Sequence, residues 1–333
     1  MEWNKHMEKK IDVRKNSYLK TILRRRESIL VLAIIMLFII MAFLRPTTFY
    51  KSNNLFNITK QISITAIVAI GQSFVLMTGG INLCVGYSCS LNGIIMAWFL
   101  VNMGVSEGVG MLLCVLAGLI VGLLNGIMIT RINLPPFIVT MGMSNILQGC
   151  AYLITRGYPI SLEPYPTIIS IGSDYVGPIP IMTIIMLVLV IFFAIILARS
   201  TFGMRVLSIG GNETAAHLSG INVRKYKVLV YTISGLLCGI AGVIMAGRLG
   251  TGNPSAGTTT DMDTIAAAII GGTSLSGGEG TIAGTFLGAL CIGVIKNAMV
   301  LMGINTYWQY VMIGVVILVI TSIDYLTRSA RSK

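Results

Sequence analysis

The stretch Gln61 to Ser106, QISITAIVAIGQSFVLMTGGINLCVGYSCSLNGIIMAWFLVNMGVS, runs for 46 residues without a charge. About 20 apolar residues cross the hydrocarbon core of a bilayer, so this run folds back once and holds two spans. Outward from it, uncharged runs of 17 (Ser28 to Leu44), 23 (Gly108 to Thr130), 24 (Ile132 to Thr155), 24 (Tyr175 to Ala198), 20 (Val228 to Gly247) and 27 residues (Asn297 to Ile323) each read as one span. Two shorter runs, Thr264 to Gly278 and Thr281 to Ile295, flank Glu279 and read as a short span followed by a full one. The sequence therefore predicts an all-α integral membrane protein of about ten transmembrane helices.

Composition agrees. Of 333 residues, 55% are hydrophobic and 11% charged, against roughly 25% charged in soluble domains. The net charge of +12 invites a nucleic-acid reading, but the placement of the basic residues opposes it. With ten spans and the N-terminus inside, nine Lys/Arg fall in residues 1–27, one at Arg131, five in 199–227 and three in 327–333, which is 18 of the 24. That asymmetry follows the positive-inside rule. The tail with Arg24-Arg25-Arg26 is then a topology anchor near anionic membrane lipid, and no nucleic acid is expected as a partner. Domains follow: a cytoplasmic basic tail at 1–27, a membrane domain at 28–326 and a cytoplasmic tail at 327–333. The first apolar segment lacks a small-residue cleavage site, so it reads as a retained anchor.

Chemistry-bearing motifs are sparse. The six cysteines lie in apolar runs without CxxC spacing, and His6 and His217 lie far from all of them, so no metal and no cofactor is expected. Gly278, Gly280 and Ala283 fit a GxGxxG/A pattern without the strand that dinucleotide binding needs. There is no GxxxxGK[ST], and no Ser, His and carboxylate grouping suggests hydrolysis. A transport role without covalent chemistry remains.

Thr78-Gly79-Gly80-Ile81-Asn82-Leu83-Cys84 sits in the middle of the 46-residue run. A helix broken there leaves polar backbone in lipid unless it lines a polar cavity, so the motif is either a stretch of a transport path or a plain turn. Asp263, with Asp261, opens the short eighth span, where capping at a helix N-terminus is the simple alternative to a path role. Lys296 lies deep in the ninth span and is expected to snorkel to the outer interface. Gly118, Gly122 and Gly126 form a small-residue stripe for close helix packing. Asn125 and Asn133 recur as Asn297 and Asn305 at the same spacing, and Gly79-Gly80-Ile81-Asn82-Leu83 echoes Gly271-Gly272-Thr273-Ser274-Leu275. Spans 2–5 and 7–10 would then form an inverted repeat, with the substrate path at its interface. Candidate path residues are Gly79, Gly80, Asn82, Asn125, Asn133, Asp263 and Ser274. Between the sixth and seventh spans, Asn212 before Glu213–Leu218 and Gly220 after it predict a short cytoplasmic helix suited to docking.

Taken in order, Gly79 to Gly86, Pro135 to Gly142, Gly211 to Asn222 and Asp263 with Gly271 to Gly278 closely resemble the permease subunits of bacterial ATP-binding-cassette importers for monosaccharides, of the ribose type. The resemblance runs from about residue 30 to the C-terminus. It implies a homodimer in the bacterial cytoplasmic (inner) membrane with both termini cytoplasmic. A soluble sugar-binding protein would feed it from outside, and a cytoplasmic ATPase subunit would drive it. Segment 199–225 resembles the family's ATPase-coupling loop, with Arg205, Asn212, Glu213, Ala215, Ala216 and Gly220 as candidate coupling residues. Glu213 stands one place earlier than the family's acid, Asn82 replaces an Asp, Cys84 replaces a Ser, and Lys296 stands where the family has a neutral polar residue. Other cargoes that this architecture admits are a nucleoside, a signalling furanose or a branched-chain amino acid; a self-sufficient secondary transporter is the rival of another class. An amino-acid cargo would want a charged pair in the path, and the sequence displays none.

Overall fold

A computed structural model describes residues 26–331; the basic tail up to residue 25 and the last two residues lie outside it. Long apolar stretches without interruption by charge fold as helices because, in lipid, every backbone group must find its partner within the segment. The helices in chain order are α1 (Arg26–Leu44), α2 (Pro46–Phe49), α3 (Ser52–Met77), α4 (Val85–Met103), α5 (Glu107–Arg131) and α6 (Pro136–Thr155). After an outer connection come α7 (Pro166–Ser173), α8 (Ile181–Arg199), α9 (Thr201–Gly211), α10 (Glu213–Leu218) and α11 (Val223–Leu249). The chain ends with α12 (Thr260–Ile270), α13 (Ile282–Leu301) and α14 (Tyr307–Arg331). Strands are confined to β1 (Ile160–Ser161) paired antiparallel with β4 (Thr251–Gly252), and β2 (Tyr175–Val176) with β3 (Ile179–Pro180).

The all-α membrane class holds, but ten helices of full spanning length are not matched. Among the described residues seven helices are long and apolar enough to cross a membrane: α3, α4, α5, α6, α8, α11 and α13. The first and last predicted spans are helical, as α1 and α14, but fall outside these seven. α12 has 11 residues, about 16 Å at 1.5 Å per residue, half of the hydrocarbon core. Its passage is completed by the irregular segment 271–281, where the Gly278 N–H donates to the Met77 carbonyl at the end of α3 (2.9 Å). α14 continues to Arg331, through residues that read as tail.

α3 and α11 form the centre and pack on each other, and their membrane windows are 83% and 67% buried, against 22% for α6. Small residues bring α11 against α5. A Cβ on Gly118 would lie 2.3 Å from the Gly235 carbonyl oxygen, one on Gly122 2.3 Å from that of Tyr231, and one on Gly235 2.2 Å from that of Gly118. Only glycine permits this separation. The neighbours are reciprocal: α5 packs on α11 and α13 on α3; α4 on α11 and α12 on α3; α4 on α5 and α12 on α13; α4 on α6 and α12 on α14.

The connection between α6 and α8 is a built cap. The Glu107 carboxylate accepts from Thr167 Oγ1 (2.9 Å) and Ile168 N (3.0 Å), satisfying the first turn of α7. Gly172 and Gly247 let α7 lie against the end of α11.

Forcing a side chain into a packed core typically costs about 1–3 kcal/mol. Gly122→Leu is expected to lower the melting temperature of the purified protein in detergent. Gly142→Leu on α6, where an added Cβ meets nothing within 4 Å, is expected to leave it unchanged. Equal melting of the two variants would show that α5 and α11 do not meet at Gly122.

Candidate functional site

The predicted path residues fall into three places. The first is the break between α3 and α4. Gly79 adopts φ +76°, the left-handed conformation that ends α3. A Cβ on Gly80 would meet the Tyr231 hydroxyl at 2.5 Å. Asn82 is buried; its Nδ2 donates to Ser234 Oγ (3.2 Å), and its Oδ1 accepts from Cys84 N (3.2 Å) and Cys84 Sγ (3.1 Å). Asn125 Nδ2 donates to the same Cys84 sulfur (3.1 Å), while Asn125 Oδ1 has no partner among the described residues. Asn82, Cys84, Asn125 and Ser234 are thus a closed polar knot among α4, α5 and α11. Ser274 is close by in the 271–281 segment, its Oγ accepting from Ser276 N (3.1 Å), and the Ser276 carbonyl faces Gly79. Gln72, which no sequence pattern singled out, is fully buried in α3 with both amide atoms unpartnered among the described residues.

The second place is a cavity of about 270 Å³ at the end of the bundle where α3 begins and α11 and α13 finish. Its polar lining is Gln61, Thr65, Arg248, Thr260, Asp263 and Lys296. Asp263 is present as predicted, but Lys296 does not snorkel. Its Nζ lies 2.5 Å from Asp263 Oδ2, and the two side chains are 13% and 7% exposed. The reason is positional. Asp263 in the first turn of α12 faces Lys296 on α13, and a charge buried in lipid seeks its counter-charge before it stretches to water. The charged pair that the sequence did not display is therefore there.

The third place is the opposite end. Asn133 has φ +59° and is exposed, away from both other groups. Together with Thr130, Glu213, His217, Asn222 and Lys227 it lines a groove of about 940 Å³ between the α5–α6 turn and segment 199–225. Within that segment Asn212 Oδ1 caps α10 by accepting from Ala215 N (2.9 Å), and Glu213 pairs with Lys227 (2.7 Å). Gly220 ends the turn at φ +81°. Arg205 donates to the Tyr226 hydroxyl and stacks over its ring. Ala215 is exposed, but Ala216 is 5% exposed and packs on Ile209 and Val223, so it cannot itself enter a partner's groove. The side chain that projects is Leu218, 82% exposed.

Segment 199–225 touches the rest of the protein through backbone. A Cβ on Gly210 would lie 1.8 Å from the Met77 carbonyl oxygen and 2.4 Å from Gly278 N. The end of α9, the end of α3 and the break after α12 meet at that point.

Residues 54–321 match the family described as the permease component of branched-chain amino acid transport systems. The ribose import permease of Bacillus subtilis (strain 168) is 37% identical over 294 residues, covering 88% of this chain and 91% of the relative. That of Escherichia coli (strain K12) is 36% identical, covering 88% and 92%. The xylose transport system permease of Escherichia coli (strain K12) is 30% identical, covering 90% and 92%. No solved structure matches the chain.

Gly210→Val has no room at this junction. It is expected to cut solute uptake at least tenfold, with the amount of protein in the membrane unchanged, whereas Gly211→Val, next to open space, is expected to be tolerated. Full uptake by Gly210→Val would show that the three segments do not meet there in the working protein.

Proposed function

We propose a function from one established premise: the chain belongs to the family of permease components of branched-chain amino acid transport systems, within which its relatives include ribose and xylose permeases. It is the membrane-spanning permease subunit of an ATP-driven importer, and it translocates a monosaccharide of the ribose kind delivered by a soluble extracytoplasmic binding protein. ATP is hydrolysed on a separate cytoplasmic subunit, and two copies of the permease form the pore. The observation that carries this reading is the junction at Gly210, which ties an exposed helical segment to both breaks in the membrane helices.

The distribution of Lys and Arg supports placing segment 199–227 and both termini in the cytoplasm and the 156–178 cap outside. In that orientation the 270 Å³ cavity opens outward, and α1, α14 and the broken α12 passage accompany the seven spans. Reciprocal packing supports the inverted repeat, with α3–α6 answering to α11–α14. Asn125 and Asn297 then lie on corresponding helices. The glycine echo does not, because Gly79 follows α3 while Gly271 follows α12, the counterpart of α4.

Transport is alternating access. The ATPase pair closes, α9 and α10 move with it, and Gly210 pushes on Met77 and Gly278. The knot of Asn82, Cys84, Asn125 and Ser234 then opens, giving the solute a route past Gly79, Gly80 and Ser274. The buried Asp263–Lys296 pair favours a second reading, an ion-coupled transporter working alone.

Docking separates the two. Leu218→Asp is expected to abolish co-purification with the cognate ATPase subunit and to reduce uptake at least tenfold while leaving the permease inserted. Ala216→Trp is expected to do the same by disrupting the packing of α10 on Ile209 and Val223. Retained co-purification and uptake in Leu218→Asp would remove this segment as the coupling element.

A further inference from the structure

The ion pair in the outer cavity is more than packing requires. A buried pair is often no more stabilising than apolar residues of the same volume, and ionisable groups within a membrane mark functional sites. Here hydrogen-bonding capacity remains unused. Asp263 Oδ2 accepts from Lys296 Nζ and Thr259 Oγ1, Asp263 Oδ1 has no partner among the described residues, and Lys296 Nζ, with three N–H groups, meets Asp263 Oδ2 as its one acceptor among them. Both residues line the cavity, together with Gln61, Thr65 and Thr260, which are neutral donors and acceptors, and Arg248, which is exposed.

We propose that this cavity is a solute-binding subsite of the permease itself, and that the Asp263–Lys296 pair recognises adjacent hydroxyls of a neutral polyhydroxylated solute. One hydroxyl donates to the Asp263 carboxylate and its neighbour accepts from an N–H of Lys296. The pair stays in contact throughout. An amino acid, by contrast, would have to break a charge–charge contact of 2.5 Å to bind its ammonium and carboxylate, and an anion would have to draw Lys296 from Asp263. Size agrees: drug-sized ligands occupy roughly 300–1,000 Å³, so 270 Å³ suits a single sugar ring. This inference rests on the importer reading for its cargo class, but its test needs neither the ATPase nor the binding protein.

The full-length permease carrying Thr65→Cys is placed in lipid nanodiscs, and the labelling rate of that cysteine by a small water-soluble maleimide is read by peptide mass spectrometry. Probes are D-ribose, D-xylose, D-fructose, L-leucine and D-gluconate. At least one neutral sugar is expected to slow labelling fivefold or more, with leucine and gluconate without effect. Asp263→Asn and Lys296→Met are each expected to abolish protection. So is the double variant Asp263→Asn/Lys296→Met, which leaves no unpaired charge and keeps the test valid where a single variant misfolds. Four results would overturn the proposal: an unreactive cysteine in the absence of solute, no protection by any sugar, protection by leucine or gluconate alone, and sugar protection that survives in the double variant. Loss of ATP-dependent uptake with sugar protection intact would instead count against the importer reading and leave the subsite standing.

Discussion

The close approach of α5 and α11 at Gly118, Gly122 and Gly235 is the constraint on which the rest is built. Lipid tails are as apolar as leucine, so helices in a bilayer gain little by hiding apolar faces from one another, and backbone approach through small residues takes over. Once α11 is fixed against α5, its side chains have fixed neighbours: Tyr231 under Gly80, and Ser234 against Gly71 and Asn82. The α3–α4 break is therefore built on α11. The same helix begins beside segment 199–225 and ends at the 270 Å³ cavity, so one helix joins the two ends of the protein.

Polar groups in such an interior need partners, and the structure gives them three kinds. At the break, side chains satisfy one another in a closed knot. In the cavity, opposite charges meet. Along α3 and α13, hydroxyls bridge helices, as Ser73 Oγ does with Thr285 Oγ1 at 2.6 Å. Exceptions include Gln72 and Asn125 Oδ1, which are buried with no partner among the described residues.

Most of the helices were legible because each uncharged run maps onto one element, or onto two for the long run Gln61 to Ser106, and the shortness of the eighth span showed in the short run Thr264 to Gly278. Cutting the chain at charged residues also caused the main errors. It gave no means of seeing that Asp263, 33 residues before Lys296, faces the same space. The inward position of Ala216 was hidden behind its small size: it packs on Ile209 of α9 and Val223 of α11, across two breaks in the helix. Asn133 was grouped with Asn125 by spacing alone, and it is exposed, with a left-handed backbone, at the turn between α5 and α6. The α7 cap had a signal in Pro166 at its first position, overlooked among the other prolines of that loop.

The account stands on one claim: that solute movement through these helices is driven from the exposed segment joined to them at Gly210. The direct measurement is accumulation of radiolabelled D-ribose, D-xylose and D-fructose in liposomes holding the permease, its cognate ATPase subunit and ATP, with the cognate binding protein on the side from which solute is taken up. The account predicts that at least one sugar accumulates above its external concentration only when ATP, ATPase and binding protein are all present. Accumulation driven by an ion gradient with the permease alone would contradict it.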